Sequence, residues 1–181
     1  MQPLRFLFWI LLLGCVGCEP PTEAIELVHP GPEYWVTGEN LRKTDTPNET
    51  PSSVIPFHGG WTSFSMDPGV TSVDSRIEEL VLDRLVFRAP IPGDSLDFIE
   101  RMELYLPGGP GAVPTLLATY ERSEDYEEIM PTIQLDAFQT WNIQPDLDRG
   151  IPFLVTLQGT PPSRDTAIDS QLHLLGTTRA R

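Results

Sequence analysis

The chain has 181 residues, 40% of them hydrophobic and 21% charged, with a formal net charge of −14. That length holds one ordinary domain and excludes two large ones. The acidity repels phosphate backbones and anionic headgroups alike, so no nucleic-acid partner is expected, and membrane attachment would require a hydrophobic or covalent anchor.

The nineteen prolines and fourteen glycines cut the sequence into short pieces, which favours strands joined by turns over long helices. The two cysteines are Cys15 and Cys18. Beyond them the body has neither a disulfide nor a thiolate metal site.

At the N-terminus, Arg5 precedes an unbroken apolar run from Phe6 to Leu13. The run has the length of a signal-peptide core and falls far short of the ~20 residues that span a bilayer. It has no polar face and is followed at once by Gly14-Cys15-Val16-Gly17-Cys18 and Pro20-Pro21, which argues against a buried helix. Leu12-Leu13-Gly14-Cys15 resembles the lipobox of bacterial lipoproteins, in which an aliphatic residue, a tolerant position and a small residue precede a cysteine.

The resemblance implies that residues 1–14 are a signal peptide and that the Cys15 thiol receives a diacylglyceryl group. Cleavage before Cys15 would leave an acylated, membrane-anchored protein of the cell envelope. Because neither Val16 nor Glu19 is Asp, the resemblance implies the outer membrane. Cys18, preceded by Cys15-Val16-Gly17, is the alternative lipidation site. Cleavage by ordinary signal peptidase would instead give a soluble secreted protein. The Cys15-x-x-Cys18 spacing has no strand–helix unit around it and is not read as a redox motif.

Residues 15–56 are expected to be a lipidated start and a Pro/Thr-rich tether that lifts the domain off the bilayer. The tract from Thr44 to Ser53 has no side chain able to hold a core. Glu33-Tyr-Trp-Val36 is the exception, a candidate strand or docking segment.

Residues 57–181 are expected to form an antiparallel β-sandwich of Ig-like or jelly-roll type. Trp61 to Met66 alternates in a half-buried strand pattern. Leu80 to Gly93 reads as a strand whose phase slips at Asp83-Arg84, predicting a bulge there; a helix through Ile77, Leu80, Val81 and Leu85 is the weaker reading. Asp94 or Ser95 could cap one helical turn. Met102 to Leu106 and Thr115 to Glu121 form a hairpin about Pro107-Gly-Gly-Pro-Gly111. Thr132 to Phe138 is a further strand, and Asn142 to Gly150 is a turn or short helix. Ile151 to Gly159 is apolar enough to be central, and a last strand points Ile168, Leu172 and Leu174 inward. Seven or so short strands with frequent turns are the signature of a sandwich, and the last half is loosely similar to Ig-like domains of exported bacterial proteins.

No residue set specifies a reaction. Phe57-His-Gly-Gly-Trp61 lacks the Gly-x-Ser-x-Gly partner that a hydrolase oxyanion loop needs and reads as a bend. His29, His58 and His173 lie far apart, with His173 facing solvent, so no metal site or cofactor is expected. Asp94, Asp97, Asp146 and Asp148 read as solvated acidic surface. Trp61, Trp141 and Tyr105, with Trp35, are candidates for a ligand platform, since exposed aromatics on a sandwich can hold sugars or peptides. The expected function is therefore a lipid-anchored envelope protein, not an enzyme, whose sandwich binds a protein or glycan partner or serves a structural role. The alternative is a hydrolase or carbohydrate-active enzyme using carboxylates on the same scaffold.

Overall fold

A computed structural model describes residues 22–44, 53–57, 59–67, 77–108, 111–123, 130–138, 142–149 and 152–179. Cys15, Cys18, Trp141 and residues 45–52 lie outside the described residues.

The strand expected around Leu80 forms as β6 (Ile77–Arg88), with Leu80, Leu82, Leu85 and Phe87 all buried on one face. That common face requires the phase slip at Asp83. Opposite β11 (Thr166–Arg179), Arg84 pairs with His173 and Leu82 with Leu174, so Asp83 has no partner residue in the ladder. Its carbonyl oxygen instead accepts a hydrogen bond from the Ala137 N–H at 2.9 Å. The bulge turns an apparently broken pattern into a continuous apolar stripe.

The other strands are β1 (Thr22–Pro30), β2 (Glu33–Thr37), β3 (Asn40–Thr44), β4 (Ser53–Pro56), β5 (Trp61–Met66), β7 (Ile99–Leu106), β8 (Thr115–Glu121), β9 (Thr132–Asp136) and β10 (Phe153–Gly159). One helical turn, α1 (Gln144–Leu147), starts with Asn142 Oδ1 accepting from the Gln144 N–H at 3.1 Å and buries Leu147. The larger sheet runs β4-β3-β2-β11-β6-β9, with β1 also on β11; the smaller runs β5-β10-β7-β8. Every pairing is antiparallel.

The pairs nest: β7 with β8, β6 with β9, β5 with β10, and β1 and β2 with β11. A long hairpin folded over on itself gives this order, and the resulting sandwich is a jelly roll, with β3 and β4 as an added hairpin beside β2. The innermost turn is the expected Pro/Gly-rich one, where Leu106 pairs with Thr115 and Gly108 and Gly111 take φ of 71° and 80°. The core between the sheets includes Phe64, Met66, Met102, Leu104, Val155 and Leu157 from the smaller sheet, facing the β6 stripe. Ile168, Leu172 and Leu174 point inward as expected. Their strand lies in the middle of the larger sheet, flanked by β6 on one side and by β1 and β2 on the other.

The expected tether is corrected by the structure, because much of it is sheet. β1 follows β11 from Thr22↔Arg179 to Pro30↔Gln171, and β2 continues along the same edge with Tyr34↔Ile168. Between the two, one extra residue enters at Gly31-Pro32. The Gly31 N–H donates to Ser170 O at 2.8 Å, and the Ser170 hydroxyl donates to Pro32 O at 2.7 Å. A Cβ on Gly31 would stand 2.3 Å from that hydroxyl oxygen, so any other residue would turn the Ser170 hydroxyl away from Pro32. Tyr34, Val36 and Leu41 are each 1% exposed. Pro30 and Pro56 stand at strand ends and Pro32 at this bulge, where a missing N–H removes no ladder bond, so these prolines do not exclude a sheet.

Candidate functional site

The strands of the smaller sheet alternate, so one face packs on the core and the other faces outward. The cross-strand register arranges the outward residues in rows. Gln158 lies between Trp61 and Arg101, with Glu121 beyond; Thr156 lies between Ser63 and Glu103, with Thr119 beyond; Leu154 lies between Ser65 and Tyr105, with Leu116 beyond. Two of the three expected platform residues, Trp61 and Tyr105, thus share one face. Trp35 does not join them: it belongs to the larger sheet, and its indole N–H donates to Glu33 Oε1 at 2.7 Å. Trp141 is outside the described residues.

The charged groups between the two aromatics neutralise one another. The Arg101 guanidinium sits 5.5 Å from the centre of the Trp61 ring, within cation–π range, and 3.2 Å from the Glu103 carboxylate. The Tyr105 hydroxyl donates to Glu103 Oε2 at 2.7 Å, and the Thr156 hydroxyl donates to the same oxygen at 3.4 Å. The bond to Glu103, aided by burial, raises the Tyr105 pKa above its ordinary 10.0. The fold therefore holds the neutral phenol, and its contribution is complete below pH 10 and lost as the phenol ionises above it. Trp61 keeps 49% of its surface exposed.

Where β10 hands over to β11, the loops before β7 and before β11 line an open cleft of about 590 Å³. Phe98, Pro161 and Pro162 form its apolar wall, and Ser95, Asp97 and Arg164 supply polar groups. The expected cap at Asp94 is instead one half of an ion pair at the surface: the Asp94 carboxylate, 6% exposed, holds the exposed Arg164 guanidinium at 2.7 Å. Arg164 also donates to the Gly93 carbonyl. The reading of Asp94 as solvated surface is therefore corrected. Arg164, far off in sequence, gives its carboxylate a counter-charge, which lets it lie inside the fold. Ser95 does not cap a helix either; its hydroxyl accepts from the Asp97 N–H at 3.1 Å and donates to Asp97 Oδ1 at 2.5 Å. Arg164→Ala leaves a buried carboxylate without this cation and is expected to cost about 1–3 kcal/mol. Scanning calorimetry should show a drop of several degrees in the unfolding midpoint, and an unchanged midpoint would mean that the pair does not pin the two loops.

His173, expected to face solvent, does point away from the core, yet its side chain is only 11% exposed. Glu26 and Arg84, on the strands either side, close over it at 3.4 and 3.2 Å. No group of three or more His, Cys, Asp or Glu suited to a metal ion occurs among the described residues.

Arg101, Glu103 and Gln158 were not singled out from sequence, although the alternation through Met102 and Leu104 places Arg101, Glu103 and Tyr105 on one side. The missing information was which strands lie next to which.

No family model matches the chain, and no curated protein matches it. Among solved structures it is similar to "Crystal structure of 60-mer BFDV Capsid Protein", at 11% identity over 90% of this chain and 96% of that one, with a TM-score of 0.40. The jelly-roll assignment follows from this chain's own strand pairs.

Proposed function

We propose that the protein is a lipid-anchored lipoprotein of the cell envelope, in the outer membrane, whose jelly roll binds a partner without catalysis. The observation that carries the binding reading is the outward face of the smaller sheet, where Trp61, Arg101, Glu103 and Tyr105 stand together. The anchor reading is supported by Leu12-Leu13-Gly14-Cys15.

The two readings fit one geometry. Residues 16–21 are all that separates Cys15 from the first strand, and at ~3.3–3.6 Å per residue that link reaches at most about 25 Å. An anchor at Cys15 therefore keeps the Thr22–Arg179 end of the sheet close to the bilayer. The 14 residues of β11 extend about 45 Å at strand rise, ending at Thr166 beside the cleft. Because β10 ends at Gly159 on that same side, the Trp61–Gln158–Arg101 row belongs to the end remote from the anchor. Headgroup repulsion of so acidic a chain favours this end-on stance.

The non-catalytic reading rests on the carboxylates of Glu103 at the outward face and of Asp94 and Asp97 beside the cleft, each of which has a structural partner. A glycosidase needs two carboxyl groups facing one another across the bond they act on. Here Glu103 is held by Arg101, Tyr105 and Thr156, Asp94 by Arg164, and Asp97 by Ser95.

Labelling with a palmitate analogue tests the anchor. The label is expected to be lost in Cys15→Ala and kept in Cys18→Ala. The reverse would move the anchor to Cys18, and absence of label from the unaltered protein would replace anchoring with plain secretion.

A further inference from the structure

We infer that the outward face of the smaller sheet binds a neutral oligosaccharide, with Trp61 as its stacking ring; this rests on the binding reading above. Three features of the face select that ligand class. First, it offers flat rings at its ends and polar groups between them. A sugar matches that order, since its C–H faces stack on aromatic rings while its hydroxyls take hydrogen bonds. A protein hot spot has the opposite order, an apolar centre sealed by a polar rim. Here the central row is Ser63, Thr156, Glu103 and Thr119.

Second, the face is pre-organised. Glu103 already fixes the rotamers of Arg101 and Tyr105 through its two oxygens, and Arg101 in turn braces one side of the Trp61 ring. Ligand binding would therefore lose little side-chain entropy. The carboxylate and guanidinium are planar groups well shaped to accept from, and donate to, vicinal hydroxyls.

Third, the charges select against ionic ligands. Arg101 and Glu103 compensate each other, Glu121 adds a negative charge at the rim, and the whole chain carries −14. An acidic polymer would be repelled, and among the described residues of this face a cationic one would meet only Glu121 beside the compensated Arg101–Glu103 pair. Length follows from the lattice. From Trp61 to Tyr105 the face crosses two strand spacings and four residues of β10, about 16 Å in all. That is the reach of an oligosaccharide, not of a single sugar.

The test is calorimetric titration of the full chain, purified in a detergent without a sugar headgroup. The probes are linear β-linked hexasaccharides of glucose, xylose and mannose. At least one is expected to bind, with a change in tryptophan fluorescence. Trp61→Ala should weaken it about tenfold or more, Trp61→Phe less, and Trp35→Phe on the other sheet not at all. Binding undiminished in Trp61→Ala, or no binding of any of the three, overturns the inference. To separate this from failure of the binding reading, p-benzoylphenylalanine in place of Ser63 is photolysed in whole envelopes. A discrete protein adduct without hexasaccharide binding leaves the face a binding site and refutes the sugar. No adduct and no hexasaccharide binding removes both.

Discussion

A chain that begins at Phe57 is expected not to fold. Residues 22–56 look dispensable in the sequence, yet they supply β1, β2 and β3 with β4 beside them, and the buried side chains Tyr34, Val36 and Leu41. Tyr34 reaches across the sandwich to Phe64, ring centres 4.8 Å apart, so removing it opens the core as well as the sheet edge. Truncating a large buried side chain costs about 2–5 kcal/mol, so three together are comparable with the roughly 5–15 kcal/mol that a whole domain has in hand. Deleting β1 and β2 also strips one side of β11 of its ladder partners along most of its length. Far-UV and near-UV circular dichroism with thermal melts should show a cooperative transition for a chain starting at Thr22 and none for one starting at Phe57. A native near-UV spectrum from the shorter chain would return these residues to the role of a tether.

Gly159→Ala should be the most damaging single change of a glycine among the described residues. Gly159 ends β10 at the point where its register with β7 slips, pairing with Ile99 after Gln158 has paired with Arg101. A Cβ there would stand 2.1 Å from Phe98 O and 3.0 Å from Ile99 Cα. Both are backbone atoms, and the Phe98 carbonyl is already fixed by the Thr160 N–H at 3.0 Å. No rotamer change relieves the overlap, so the strands must part, at an expected cost of about 3 kcal/mol or more. Gly38→Ala is the comparison. Gly38 has φ of 54° with nothing within 4 Å of an added Cβ, so only the left-handed backbone penalty of about 1–2 kcal/mol applies. Equal denaturation midpoints for the two variants would contradict the close approach at Gly159.

Local alternation was legible wherever a strand had one wet face. The patterns of β5 and β7 read correctly because polar and apolar residues simply take turns, and the apolar richness of β10 marked it as the central strand it is, between β5 and β7. Even the bulge in β6 could be read, since Leu80 and Leu82 on one side of Asp83 and Leu85 and Phe87 on the other demand a common inward face. The tether was misread because β1 has few inward residues to signal it: Ala24, Ile25, Glu26 and Val28 are all exposed. Its place in the fold comes from backbone pairing with β11, a contact between the two ends of the chain that no local pattern encodes. The site was half legible for the same reason. Trp61 and Tyr105 could be named as exposed aromatics, but their common face, and the reach of Arg164 to Asp94, depend on which strands and loops become neighbours.

The most direct test of the account is the intact mass of the mature protein extracted from membranes, with sequencing of its N-terminal peptide. The expected protein starts at Cys15 and carries the added mass of a diacylglyceryl group and an amide-linked acyl chain, partitioning into the detergent phase. A chain that starts at Met1, or after the apolar run with no lipid mass, and stays wholly in the aqueous phase would contradict it.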